Sequence, residues 1–147
     1  MALIWEVMLL ITERILMKTY SVMILKADDS PAEIHHIDGT GGPAFDKIYP
    51  LINASMIERA HGRWVQSDGQ AVNVDLYCDE EGLLKADAKV NHRASHLRWH
   101  LFKREYGAQM PDPRIVGDVA VVFPPRIKLD VNWTPDFHGQ PLVKHVE

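Results

Sequence analysis

The chain has 147 residues, 46% of them hydrophobic, a single cysteine and a formal net charge of −4. That length suits one domain and is enough to bury a core without the staples that chains below ~70–80 residues need. Sixteen basic against twenty acidic residues exclude a uniformly basic nucleic-acid coat and an acidic tail protein, and the lone Cys78 excludes an internal disulfide framework and a cysteine-rich zinc site.

Residues 1–16, MALIWEVMLLITERIL, are mostly apolar but carry Glu6, Glu13 and Arg14. A membrane helix takes ~20 mostly apolar residues, and a secretory signal takes a basic start and a small-residue cleavage site. Neither pattern is present, so a cytoplasmic protein without membrane contact is expected. Two readings stand for this segment: an amphipathic helix that packs on the domain or a partner, or an extension upstream of a natural start at Met17.

Tyr20 to Ala27 reads as a strand, Asp28-Asp29-Ser30-Pro31 as a turn, and Glu33 to Ile37 as the second strand of a hairpin. A Gly-rich stretch leads to Pro43, which suits the first position of a short helix over about 43–49 that Pro50 should end. Ser55 to Ala60 reads as a third strand with a turn near His61-Gly62. Val72, Val74 and Leu76 alternate with polar neighbours, as in a strand with one buried face. Asp79 to Gly82 is a turn whose glycine is free to take positive φ. Asn91 is a natural N-cap, and His92 to Tyr106 is the main helix, ended by Gly107. Pro111 and Pro113 mark a loop. Ile115 to Phe123 reads as a strand with a bulge at Gly117-Asp118. Six of the nine prolines lie in 111–147, and 124–147 reads as an extended arm that lies on the domain or on a partner. The expected architecture is one α+β domain over 17–123, a mostly antiparallel sheet with one main helix (about 92–106) and one short helix, flanked by residues 1–16 and 124–147.

LYCDEEGLLK at 76–85, NHRAS at 91–95 and IVGDVAVV at 115–122 follow a strand opening, MKTYSVMIL, and a short helix. This pattern resembles the uncharacterised bacterial and phage family known as domain of unknown function 3846, over roughly residues 17–123. The resemblance implies a small α+β fold and a phage or prophage origin. It brings no catalytic residues with it.

The chemistry-bearing residues concentrate in 91–106. Between Lys85 and Arg104 stand six Lys or Arg and one acid, Asp87, a local +5 inside a chain of −4. Such clustering is how a near-neutral protein builds an anion-binding surface. On a helical wheel His92, Arg93, His96, His100, Lys103 and Arg104 form one arc. Trp99, Phe102 and Tyr106 form an aromatic arc, and Ala94, Leu97 and Leu101 an aliphatic one. Arg93, His96, Arg98, His100, Lys103 and Arg104 are the expected contacts to a nucleic acid, a nucleotide or an acidic protein surface. The bland alternative is a helix with one solvated and one buried side. His92 and His96, four apart, could share a metal ion. A third histidine at i+8 is ~12 Å along the axis and out of reach, so a site would need a carboxylate from Asp79, Glu80 or Glu81.

The remaining motifs are weaker. Gly39-x-Gly41-x-x-Ala44 mimics part of a dinucleotide fingerprint, but a short helix interrupted by Pro50 follows it and no βαβ repeat does. Asp75, Asp79, Glu80 and Glu81 read as a charged hairpin turn. Acidic neighbours should raise the pKa of Cys78 and blunt it as a nucleophile. No P-loop, G-x-S-x-G or Ser-His-Asp spacing is visible. The expectation is a non-enzymatic accessory protein without cofactor that binds an anionic partner. A metal-dependent enzyme using His92 and His96 is the second reading. The third is an interaction module that forms a homo-oligomer through residues 1–16 or 124–147.

Overall fold

A computed structural model describes residues 4–8, 16–65, 69–85, 88–129, 136–137 and 140–141. Strands β1 (Met17–Leu25) and β2 (Glu33–Thr40) form the first hairpin, followed by helix α1 (Phe45–Leu51). Strands β3 (Ile57–Val65) and β4 (Ala71–Asp79) form the second hairpin. Helix α2 (His92–Tyr106) and strand β5 (Val119–Val122) complete the domain. The sheet runs β2-β1-β5-β4-β3, with every ladder antiparallel. The expected α+β class, hairpin opening and main helix are all present. A separate two-stranded ladder pairs β6 (Asp136–Phe137) with β7 (Gln140–Pro141). Among the described residues no helix is long and apolar enough to cross a membrane.

Side chains alternate across a strand, and here both faces of the sheet are apolar. Met23 and Leu25 of β1, Val74 and Leu76 of β4, and Val119 and Val121 of β5 share one face with Ala94 and Leu97 of α2. Val22 and Ile24, Tyr77, and Ala120 and Val122 share the other with Ile48 of α1 and Ile52. The four residues of β5 are therefore buried on both sides, the pattern of a central strand covered by helices. Fully burying such side chains stabilises by ~1.5–3 kcal/mol each. Trp64 of β3 meets Phe123 at 5.6 Å between ring centroids and extends the α2-side core.

Several local expectations change. The third strand does not stop at Ala60 for a turn. Gly62 lies inside β3, paired with Val74. Its reason is close approach: a Cβ there would stand 3.1 Å from Leu76 Cδ1 and 3.2 Å from Leu97 Cβ, so the missing side chain lets α2 settle on β3. Helix α1 begins at Phe45 rather than Pro43, and Pro50 sits in its last turn instead of stopping it beforehand. Gly82 does not use positive φ; it lies in a 3₁₀ turn (Gly82–Leu84), where a Cβ would come within 3.2 Å of the Val116 carbonyl oxygen. Leu83 and Leu84 are exposed. The last sheet strand begins at Val119, not Ile115. Gly117 at φ 85° turns the chain into it, and Val116 makes only an isolated bridge with Val90.

The junction at residue 91 joins these pieces. Asn91 is fully buried. Its side-chain oxygen accepts from the Ala94 N–H at 3.1 Å, which caps α2. Its amide nitrogen donates to the carbonyls of Leu25 at 2.8 Å and Gly117 at 3.0 Å. Its backbone N–H donates to the Ile115 carbonyl. Ser95 Oγ donates to the Asn91 carbonyl and accepts from the Ile115 N–H at 2.9 Å. One residue thus ties the end of β1, the start of α2 and the approach to β5. Residues 124–129 continue along the domain: Leu129 is buried, its N–H donates to Ser21 Oγ, and Lys128 donates to the Thr19 carbonyl. Trp133, and the side chains of Phe137 and Leu142, on which the arm reading also rested, fall outside the described residues.

Residues 4–8 are helical, with Ile4, Trp5, Val7 and Met8 exposed.

Three substitutions test this framework. Asn91→Ala should lower unfolding free energy by about 2–4 kcal/mol, since it removes a cap and leaves two buried carbonyls short of a donor. Asn91→Ser, which keeps a capping oxygen, should recover about 1 kcal/mol of it. Gly62→Ala should cost about 1–3 kcal/mol by overpacking against Leu97. Urea midpoints of the three variants against the parent chain provide the check.

Candidate functional site

Helix α2 presents the residues expected to bind an anion, but it does not present them together. Leu97, Leu101 and Ala94 form the buried side, as the aliphatic arc requires. Arg93 joins them instead of the basic arc. It is 8% exposed, donates from Nη2 to the carbonyls of Lys26 and Ser30, both at 2.9 Å, and faces Asp29 at 3.7 Å. Burial lowers its pKa, and the charges of Asp29 and Asp28 act against that shift. The wheel gave its angle correctly but not what lies opposite, which is the tip of the first hairpin. Arg93 is a clamp on that turn.

Arg98, expected among the contacts although it is off the basic arc, turns elsewhere as well. Its guanidinium sits 4.8 Å from the centroid of Phe102, and among the described residues its buried Nε has no hydrogen-bond partner. It lines a small cavity of about 290 Å³ with Glu58, Cys78, Asp112 and Arg114. Lys85, another member of the +5 segment, is ion-paired with Asp79 and donates to the Asn53 carbonyl.

What remains on the outer side is a compact group. The His96 ring stacks on Trp99 at 5.4 Å and 20°, and meets His100 edge-on at 4.4 Å. Lys103 Nζ lies 4.8 Å from the Trp99 ring centroid. Lys103 and Arg104 are exposed, and both stand in the last turn of the helix, where cations complement the dipole. His92 is exposed at the helix start. Among the described residues no three of His, Cys, Asp and Glu are grouped to hold a metal ion. The carboxylate that His92 and His96 would need from the acidic turn is not brought to them: Asp79 holds Lys85 and accepts from the Glu81 N–H.

Cys78 is buried and donates weakly to the Glu58 carbonyl at 3.6 Å. Its thiol is pushed up to about 11, chiefly by burial and then by the charge of Glu58, with Asp79 a smaller contributor. The blunting expected from acidic neighbours therefore comes mainly from desolvation.

A second constellation escaped the sequence reading. On the face away from α2, β3 and β4 pair three polar rungs in register: Arg59 with Tyr77, His61 with Asp75, and Arg63 with Asn73. His61 Nδ1 and Asp75 Oδ1 are 3.0 Å apart, and Arg63 donates to Asn73 Oδ1 at 3.3 Å. Arg59 and Tyr77 stand opposite each other across the two strands. Burial raises the Tyr77 pKa, the Asp75 charge adds to it, and Arg59 opposes both. These rungs border a notch of about 500 Å³. The available signal was alternation: Arg59, His61, Arg63 and Asn73, Asp75, Tyr77 recur at period two. Placing a turn at His61-Gly62 hid it.

Asp79 gives a pH test of the local framework. Burial opposes its ionisation, but hydrogen bonds from Lys85 and the Glu81 N–H, with the Lys85 charge, outweigh it and hold its pKa below the ordinary 3.8. A carboxylate depressed on folding stabilises above its unfolded pKa, and that stabilisation is lost as pH falls through the folded value. Asp79→Asn should therefore be less stable than the parent by about 1.5–3 kcal/mol near neutrality. The gap should close as pH falls below the usual aspartate range. Urea titrations at neutral and acid pH measure it.

No protein-family model matches the chain, and no curated protein or solved structure matches it either.

Proposed function

We propose that the protein is a non-enzymatic accessory protein of phage or prophage type that holds an anionic partner, a single nucleic-acid strand foremost, on the outer side of α2. The observation that carries the reading is the Trp99 ring with Lys103 over it at 4.8 Å and His96 stacked on it at 5.4 Å. An indole that holds two cation-forming side chains in place reduces the entropy lost when they meet phosphates. Exposed Arg104 adds a third charge beside them. Arg93 is left out of this surface because the hairpin turn consumes it, and Arg98 because it turns toward Phe102 and Cys78. The phage-type origin rests on the resemblance of residues 76–85, 91–95 and 115–122 alone.

Fluorescence anisotropy with a labelled single-stranded oligonucleotide, repeated between 50 and 200 mM salt, tests this directly. Binding should weaken with salt at a slope of roughly −0.7 per phosphate neutralised. The double variant Lys103→Gln/Arg104→Gln should make that slope shallower by about 1.4. Trp99→Leu should weaken binding several-fold while leaving the slope in place, since it disorders the charges without removing them. An unchanged slope in the double variant sinks the proposal.

A further inference from the structure

The notch bordered by β3 and β4 exists because the central strand is short. β5 pairs with Val22–Leu25 of β1 and with Asp75–Cys78 of β4, and then ends. Phe123 donates to the Ser21 carbonyl, and Pro124-Pro125, with no N–H to offer, carry the chain out of the sheet. Among the described residues, no strand lies between residues 71–74 of β4 and 17–21 of β1. The space of about 500 Å³ falls within the ~300–1,000 Å³ typical of small-molecule sites.

Its lining is specific. Phe45, Tyr20 and Tyr77 supply aromatic surface, with Phe45 45% exposed and tilted against Tyr77 at 5.3 Å. Among the described residues Arg59 makes no ion pair, and it lines the notch opposite Tyr77. Asp75 holds His61 by Nδ1 at 3.0 Å, which leaves Nε2 outside that contact. Glu105 also lines the notch, but it comes from α2, on the opposite face of the sheet from Arg59.

The glycine loop supplies an independent observation. Gly39 is needed because a Cβ would collide with the Gly42 carbonyl, and Gly41 because its φ is +73°. Gly42 has neither reason: its φ is not positive, and a Cβ there would meet nothing within 4 Å. What a glycine does at that point is keep the wall of the notch bare.

We propose that this notch binds a small molecule that joins a planar ring to one anionic group. The ring lies against Phe45 and Tyr77 beside the bare backbone of Gly42. The anion, a phosphate or a carboxylate, meets Arg59 and His61. The site is separate from the outer side of α2 and does not rest on the nucleic-acid reading.

Amide chemical shifts of the labelled protein test it, titrated with the four ribonucleoside 5′-monophosphates, their parent nucleosides, benzoate and inorganic phosphate. At least one ring-bearing anion should bind saturably, with shifts centred on Gly41, Gly42, Arg59, His61 and Tyr77. Nucleosides and inorganic phosphate should bind at least about tenfold more weakly, and preference for a nucleotide over benzoate, or the reverse, separates phosphate from carboxylate. Arg59→Ala should lose about tenfold or more in affinity. Gly42→Leu, which fills the space without straining the backbone, should block binding while the spectrum elsewhere stays that of the parent. Absence of saturable shifts for every probe up to about 10 mM, shifts centred on residues 96–104, or full affinity in both folded variants overturns the proposal.

Discussion

Asn91 commits both amide hydrogens and its side-chain oxygen inside the protein, with its backbone N–H donating as well. An amide buried this deeply would be costly if unpaired, and here every group meets a backbone atom, from three parts of the chain. Strand β1 ends against it, α2 starts from it, and the loop that delivers β5 is held by it. Arg93, two residues on, extends the same junction to the first hairpin by donating to Lys26 and Ser30. Asp118 adds a further tie by accepting from the Ala27 N–H. The position of α2 on the sheet, and so the direction in which its outer side chains point, follows from this one junction.

The same junction gives a physical meaning to residues 76–85, 91–95 and 115–122. Gly82 approaches Val116, Asn91 bonds to Gly117, and Ser95 bonds to Ile115. Asn91, Arg93 and Ser95 each turn a polar group toward the β1 end or the β5 approach. Their chemistry is architectural. The groups that could meet a ligand lie elsewhere, on the outer side of α2 and along the β3–β4 rungs.

Features with local causes were legible in the sequence. The helix 92–106 is bounded by an asparagine cap and by Gly107, at φ 58°, and the first hairpin is bounded by a turn cluster. Gly62 was misread because a glycine in isolation signals a turn, whereas its role here is contact with a helix thirty residues later. Arg93 was misread because a wheel shows angles and not the carbonyls that await a guanidinium. The +5 segment shows the same limit for charge. Lys85 and Arg93 are spent on Asp79 and on the hairpin turn, so a run of cations along the chain becomes a much smaller patch in space. The His61–Asp75 contact needs a register between two strands, which composition does not supply.

The sheet order carries a consequence for how the protein is made. β1–β2 and β3–β4 are local hairpins, but nothing in the sheet joins them except β5, which pairs Val22 with Val122 across a hundred residues. Contacts so distant along the chain must meet the loop-closure cost before they return any stabilisation. During synthesis the two hairpins therefore emerge with their inner edges unpaired. Such edges are open to wrong partners until the four residues of β5 leave the ribosome and close the sheet.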